Sequence, residues 1–189
     1  MMRRLLLDAR RLDIMLNRLC FQLLENHPGF REAALIGLQP RGVFVARRIH
    51  RKLCDILGRT DVLLGELDVT FYRDDFRRRE IITPSSTRMD FNVENRKVVL
   101  VDDVLFTGRT IRAGMDALID FGRPERVELL TLVDRRYSRQ LPIEPDYIGL
   151  SVDTITADKV KVLWKESDGE DGIWIHAPES IEPANGTRA

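Results

Sequence analysis

An α/β fold, a mostly parallel sheet flanked by helices, is predicted by three features of this 189-residue chain. Short apolar runs alternate with amphipathic segments of helical period, strand-like runs lead straight into turn residues that open a helix, and the length suits one α/β domain with its own core. Ligands of such sheets collect at the carboxyl ends of the strands. Chemistry is therefore expected in the loops after Leu38, Val101 and Val133.

Leu12 to His27 places Leu12, Met15, Leu16, Leu19, Leu23 and Leu24 on one helical face, and Pro28-Gly29 stops it. Ala33 to Leu38 reads as a buried strand. Gly37 to Gly42 forms a turn before a helix over Val43 to Leu57, which Gly58 closes as its C-terminal cap. Val62 to Tyr72 alternates Leu67, Val69 and Phe71 with Glu66, Asp68 and Thr70, the pattern of a strand with one wet face. Asp74 to Asn95 is a long polar loop, a length associated with function or disorder. Val98 to Val101 is a strand, Arg109 to Phe121 a helix ended by Gly122-Arg123-Pro124, and Val127 to Val133 a strand. A weaker strand is centred near Ile148. Lys159 to Trp164 and Ile173 to Ile175 pair as a hairpin around SDGEDG. Residues 1–176 are expected to form a single domain and 177–189 a frayed, disordered tail.

The formal net charge is zero, which favours neither nucleic acid nor membrane as a global partner. The distribution is uneven: residues 1–139 carry 26 basic and 20 acidic side chains, residues 140–189 carry 4 and 10. A polyanion would have to meet the basic part. Cys20 and Cys54 both fall in helical segments, which argues against a disulfide framework and predicts two buried thiols in a reducing, cytoplasmic setting. The three-leucine run near the N-terminus is too short for a signal core, and no apolar stretch approaches the ~20 residues of a membrane helix.

The string VVLVDDVLFTGRT, Val98 to Thr110, carries the chemistry. A strand runs into two carboxylates, then a turn, then a helix N-terminus whose unpaired N–H groups suit a phosphate dianion. Gly108 permits a backbone geometry closed to other residues, and Thr107 and Thr110 add hydroxyl donors. Asp102 and Asp103 can accept from two sugar hydroxyls. An acidic pair alone is also found in response regulators and metal-dependent transferases. A Walker loop and a GxGxxG dinucleotide fingerprint are both absent.

The thirteen-residue string resembles the phosphoribosyl pyrophosphate signature of the type I phosphoribosyltransferases. With GLQPRG, DVTFYRDD, DVLFTGRTIRAGMDALIDFGRP, VDRR and LPIEPDYIG, the chain is similar to the bifunctional pyrimidine operon regulator/uracil phosphoribosyltransferase family from about Asp13 to Ile175. The resemblance implies a type I phosphoribosyltransferase fold with a flexible loop and a small C-terminal hood hairpin. It implies a homodimer or higher homo-oligomer and transfer from phosphoribosyl pyrophosphate to uracil, giving UMP and pyrophosphate with Mg²⁺. No metal ligand is assigned directly.

Residue by residue, it implies that Asp102 and Asp103 hold the ribose, and that Val104, Leu105, Phe106, Thr107, Gly108, Arg109 and Thr110 hold the 5′-phosphate. Pro40, Arg41 and Arg73 would hold pyrophosphate, with Asp102, Asp103 and Arg41 as the catalytic set. Asp134, Arg135 and Val160 would line the base and nucleotide. Pro40 stands where relatives often have threonine, which keeps the backbone role of the turn and removes a hydroxyl. The stretch VDRRYSRQLPI departs from the commoner VDRGHRELPI by Arg136-Tyr137 and one extra residue. Arg77, Arg78, Arg79 and Arg88 belong to the mobile loop and are equally read as solvated charge.

Two rivals remain. A purine or xanthine phosphoribosyltransferase shares the sugar motif and differs in the base pocket. An RNA-binding regulator could use the pocket only to sense UMP or phosphoribosyl pyrophosphate, through a patch of Arg10, Arg11, Arg18, Arg47, Arg48, Arg51 and Lys52. Against leader RNA as a partner, Glu144 and Leu150 stand where RNA-binding relatives tend to be basic. His27, His50 and His176 lie outside every motif and are read as surface or structural.

Overall fold

The computed structural model describes residues 3–73, 86–153 and 158–176. In chain order its elements are β1 (Arg3–Asp8), α1 (Ala9–Asn26), β2 (Ala33–Leu38), α2 (Gly42–Leu57), β3 (Leu63–Leu67), β4 (Lys97–Leu105), α3 (Arg109–Leu118), β5 (Arg126–Arg136), β6 (Tyr147–Asp153), β7 (Lys159–Leu163), α4 (Lys165–Asp168) and β8 (Gly172–His176). Five strands form a parallel sheet in the order β3-β2-β4-β5-β6, and β1-β8-β7 form a small antiparallel sheet.

The period-two alternation of side chains divides the core. On one face Leu35, Val99 and Val101 meet α1 and α2 through Leu16, Leu19, Val45 and Ile49; on the other, Ile36, Leu38, Val98 and Leu100 meet Ile111, Ala113 and Ala117 of α3. Each fully buried aliphatic side chain contributes about 1.5–3 kcal/mol relative to exposure. The sheet is therefore anchored from both sides, and its carboxyl edge is rigid where the site stands.

Several elements differ from expectation. The strand read over Val62 to Tyr72 ends at Leu67, because Asp68 Oδ1 accepts from the Thr70 N–H (2.9 Å) and hydroxyl (2.6 Å) and turns the chain into a short 3-10 turn at Thr70–Tyr72. Phe71 is consequently exposed, not on a dry face. The helix read over Arg109 to Phe121 is α-helical to Leu118 and closes in a 3-10 turn at Ile119–Phe121. The strand near Ile148 is centred two residues later, at Leu150. The first helix begins at Ala9, where the Asp8 carboxylate caps the Arg11 N–H at 2.8 Å. The strand Arg3–Asp8 has no counterpart in the local reading, since its pairing partner β8 lies at the far end of the chain. The hairpin of β7 and β8 is present as expected. Cys20 is buried, but Cys54 is half-buried against His50, which corrects the expectation of two core thiols. Residues 177–189 and Arg77, Arg78 and Arg79 lie outside the described residues.

Candidate active site

Strand β4 does not stop at Val101 but runs on to Leu105, with Val104 paired to Val133 and Leu105 to Asp134. This extension carries both carboxylates and the first two phosphate-site residues on rigid backbone. Phe106 and Thr107 then turn the chain, Gly108 takes φ 90° as the residue that opens α3, and Arg109 and Thr110 form the first helical turn. Val104 to Thr110 line one cavity of about 230 Å³ together with Asp102, Arg73 and Ile111. Arg73 reaches across it to hydrogen-bond the Thr110 hydroxyl at 3.2 Å.

Consecutive residues of a strand point to opposite faces, so the acidic pair diverges. Asp102 faces the cavity and accepts the Asp103 N–H at 2.9 Å, while Asp103 turns to Arg41, whose Nε lies 3.4 Å from its Oδ2. Burial pushes the Asp102 carboxyl well above the usual carboxylate range, and the Asp103 charge adds to that. Burial also raises Asp103, against the opposing pull of Arg41.

Arg41 ends the turn between β2 and α2, next to Pro40, whose peptide bond with Gln39 is cis. Gly42 makes this turn possible: a Cβ there would land on the Val101 carbonyl and within 3.0 Å of Asp102 Cα. Only a hydrogen lets α2 begin against the end of β4, which brings Arg41 beside Asp103.

On the far side, Arg135 is buried, with its guanidinium 4.1 Å from the Phe106 ring centre; burial lowers its pKa, and Asp158 partly restores it. Asp134 is also buried, and its carboxylate pairs with Arg139. Val160 sits on β7 among the partly buried residues packed on the same core cluster as Val104. The structure thus gathers Arg73, Asp102 and Val104 to Thr110 around one cavity. It sets Asp103, Arg41 and Pro40 on one flank, Asp134 and Arg135 on the other, and Val160 on the small sheet.

Sequence reasoning missed Arg139. Its guanidinium donates to the carbonyls of Phe106 (2.7 Å), Ile143 (3.0 Å), Leu105 (3.2 Å) and Arg135 (3.3 Å) and to the Asp134 carboxylate. The N–H groups of Gln140 and Leu141 both donate to the Thr107 carbonyl, and Arg109 Nε donates to Gln140 Oε1 at 2.9 Å. This loop is stitched to the phosphate turn. Upstream of it, Tyr137 is 86% exposed at φ 65°. The signal was the run RQLPI itself, whose arginine is the one its similar form HRELPI also carries.

The family described as Phosphoribosyl transferase domain matches residues 5–166. The chain is 43% identical over 173 residues to the bifunctional protein PyrR of Desulfosudis oleivorans, covering 91% of this chain and 95% of that one. It is 43% identical over 175 residues to the bifunctional protein PyrR of Elusimicrobium minutum, covering 92% and 97%. Among solved structures, the hypoxanthine phosphoribosyltransferase of Trypanosoma cruzi matches with a TM-score of 0.69 at 16% identity over 93% of this chain and 97% of that one. One from Staphylococcus aureus matches with 0.66 at 18% over 95% and 94%. At such identities these structures bear on the fold alone, which is the type I phosphoribosyltransferase fold expected from the motifs. The chain belongs to the phosphoribosyl transferase domain family and, within it, to the bifunctional PyrR proteins, the pyrimidine operon regulators and uracil phosphoribosyltransferases that its motifs resemble.

Proposed function

We propose that this chain transfers the ribose 5-phosphate of phosphoribosyl pyrophosphate to uracil, yielding UMP and pyrophosphate. The observation that carries the reading is the cavity itself: a helix N-terminus and a glycine turn at one end, a buried carboxylate on the strand and Arg73 at the rim. The N–H groups of residues 106–110 would hold the 5′-phosphate, with Thr107 and Thr110 hydroxyls beside them. Asp102 and Asp103 would accept from the ribose hydroxyls. Arg41 and Arg73 would face the pyrophosphate as the C1–oxygen bond breaks and negative charge builds on the leaving group. Uracil N1 forms the new bond to C1 as the C1–oxygen bond breaks, and its proton passes to the departing pyrophosphate or to solvent; backbone near Asp134, with Arg135 and Val160, would hold the base. The work of the protein is positioning and charge stabilisation, with no covalent enzyme intermediate.

The donor set fits Mg²⁺. The Asp102 carboxylate, a hard oxygen donor, faces the cavity, and burial pushes its carboxyl upward, a penalty that a cation relieves. Asp102 would hold it, and it would neutralise charge on the pyrophosphate. Two free thiols, Cys20 and Cys54, support a reducing, cytoplasmic setting; no helix of the described residues is long and apolar enough to cross a membrane.

Pyrophosphate release measured with uracil, hypoxanthine, guanine and xanthine tests the reading. Turnover of uracil alone is expected. Turnover of a purine without uracil overturns the base assignment and leaves the phosphoribosyl chemistry standing.

A further inference from the structure

We infer that Asp168, on the helical turn between β7 and β8, is a positioning residue that holds the Arg41 guanidinium in the orientation pyrophosphate requires. The inference rests on the assignment of Arg41 to pyrophosphate made above.

Arg41 lies between two carboxylates. Its Nη2 donates to Asp168 Oδ2 at 3.0 Å and to the Val162 carbonyl, and its Nε is buried, without a hydrogen bond, 3.4 Å from Asp103 Oδ2. Nη1 makes no hydrogen bond to the described residues, which leaves that edge of the fork for a ligand. Arginine and carboxylate prefer two parallel hydrogen bonds. Without Asp168, the same guanidinium would rotate onto Asp103 and close such a pair, withdrawing the arginine from pyrophosphate and the carboxylate from the ribose together. Asp168 prevents this by engaging Nη2, the nitrogen that would complete the pair beside Nε.

Asp168 is fixed well enough to do so. Its Oδ2 also accepts from the Trp164 N–H at 3.0 Å and the Ser167 hydroxyl at 2.8 Å. Burial alone would raise its carboxyl, but these two donors and Arg41 outweigh that and hold it at about 2, so it is ionised across any practical assay range. The turn is bolted to α2 beside it. Trp164 is fully buried and stacked on Phe44, with ring centres 6.3 Å apart, and Arg48 lies 4.8 Å above the same ring. Arg48 also pairs with Asp171 at 2.7 and 3.0 Å and with Glu166 at 2.7 and 3.2 Å. None of these contacts touches the cavity, so their common effect is to set where Asp168 stands. The turn of the hairpin is thereby given a task in the site, beside the one proposed for Val160 on β7.

Steady-state kinetics of Asp168→Asn, Asp168→Glu, Arg41→Gln and the Arg41→Gln/Asp168→Asn double variant, with thermal midpoints, test this. Asp168→Asn is expected to raise KM for phosphoribosyl pyrophosphate on the order of tenfold and to lower kcat with it, while KM for uracil stays within about twofold. Asp168→Glu should recover part of the loss, and in the Arg41→Gln background Asp168→Asn should add nothing. If Arg41→Gln leaves that KM unchanged, the pyrophosphate assignment of Arg41 fails, and the inference with it. If Arg41→Gln raises it but Asp168→Asn has no effect, or a fully additive one, the inference alone fails. Should Asp168→Asn not fold, Arg41→Lys, whose single ammonium cannot span both carboxylates, replaces it: wild-type KM there overturns the inference, and a rise matching Arg41→Gln supports it.

Discussion

Asp102 and Asp103 illustrate how one dipeptide acquires two roles. Adjacent positions on a strand send their side chains apart, one to the cavity and one to Arg41. Burial makes both carboxyls reluctant to ionise, so each contributes stability when protonated, and that contribution is lost as pH rises from the ordinary 3.8 through the raised folded value. Asp102→Asn removes the like-charge pair and keeps an oxygen for the Asp103 N–H. It is expected to stabilise the free protein by about 1 kcal/mol while lowering activity, the usual trade at a strained site. A thermal scan showing no gain at pH 7 would contradict this. Asp103→Asn keeps the shape but not the charge opposite Arg41, and activity is expected to fall on the order of a hundredfold with the fold intact. Wild-type turnover would make the pair structural only.

The elements show where local signals suffice. Strand β2, the helix over Gly42–Leu57 and the strand-turn-helix of Val98 to Thr110 were legible because apolar period, glycine and charge agree within a dozen residues. The end of β3 at Leu67 was not, since a single Asp68 side chain competes with the ladder for the Thr70 N–H. The contact of α2 with β4 at Gly42 is another such point. Gly42→Ala pushes Cβ into the Val101 carbonyl, and a loss of about 2 kcal/mol with a marked drop in activity is expected, because the pyrophosphate turn and the acidic strand are forced apart together. Equal stability and turnover in the variant would show that the turn can yield.

At the scale of the molecule, the amino-terminal edge of the sheet carries a second buried polar cluster. His27 Nε2–H donates to Glu128 Oε2 at 2.7 Å, Tyr147 donates to the same oxygen at 2.8 Å and Arg126 Nε lies 2.9 Å from Oε1. Burial would raise Glu128, but His27, Tyr147 and Arg126 outweigh it and hold its carboxyl below the ordinary 4.5. A depressed acid stabilises the fold above its unfolded value and loses that contribution as pH falls through its folded one. Glu128→Gln is expected to cost about 2 kcal/mol at pH 7 and to flatten the decline in stability below pH ~4.5. An unchanged urea midpoint at pH 7 would refute it.

The surface bears on RNA at the same scale. Of the seven basic residues of the expected patch, Arg47 is paired with Glu66, Arg48 with Glu166 and Asp171, and Lys52 with Asp13, while Arg18 donates to the Ile148 and Gly149 carbonyls. Three of the seven are thus already neutralised by carboxylates, which leaves Arg10, Arg11, Arg18 and Arg51 to meet phosphates. Binding of the protein's own pyrimidine leader at physiological salt is expected to be weak, with a shallow dependence on salt. Nanomolar affinity that discriminates a scrambled control and tightens with UMP, read by calorimetric titration, would restore the full regulatory reading.

What the sequence by itself determined is the α/β plan and the phosphate-binding string, because each is written in contiguous residues whose spacing carries the physics; the family followed from the resemblance of those strings. Tertiary structure decided the rest. That Asp103 meets Arg41, that Arg139 ties the base loop to the phosphate turn, that Arg3–Asp8 becomes a strand, and that Asp168 reaches Arg41 all depend on partners far apart in the chain. A long-range contact leaves no period in the local sequence: its free energy resides in the pair, and only folding brings the pair together.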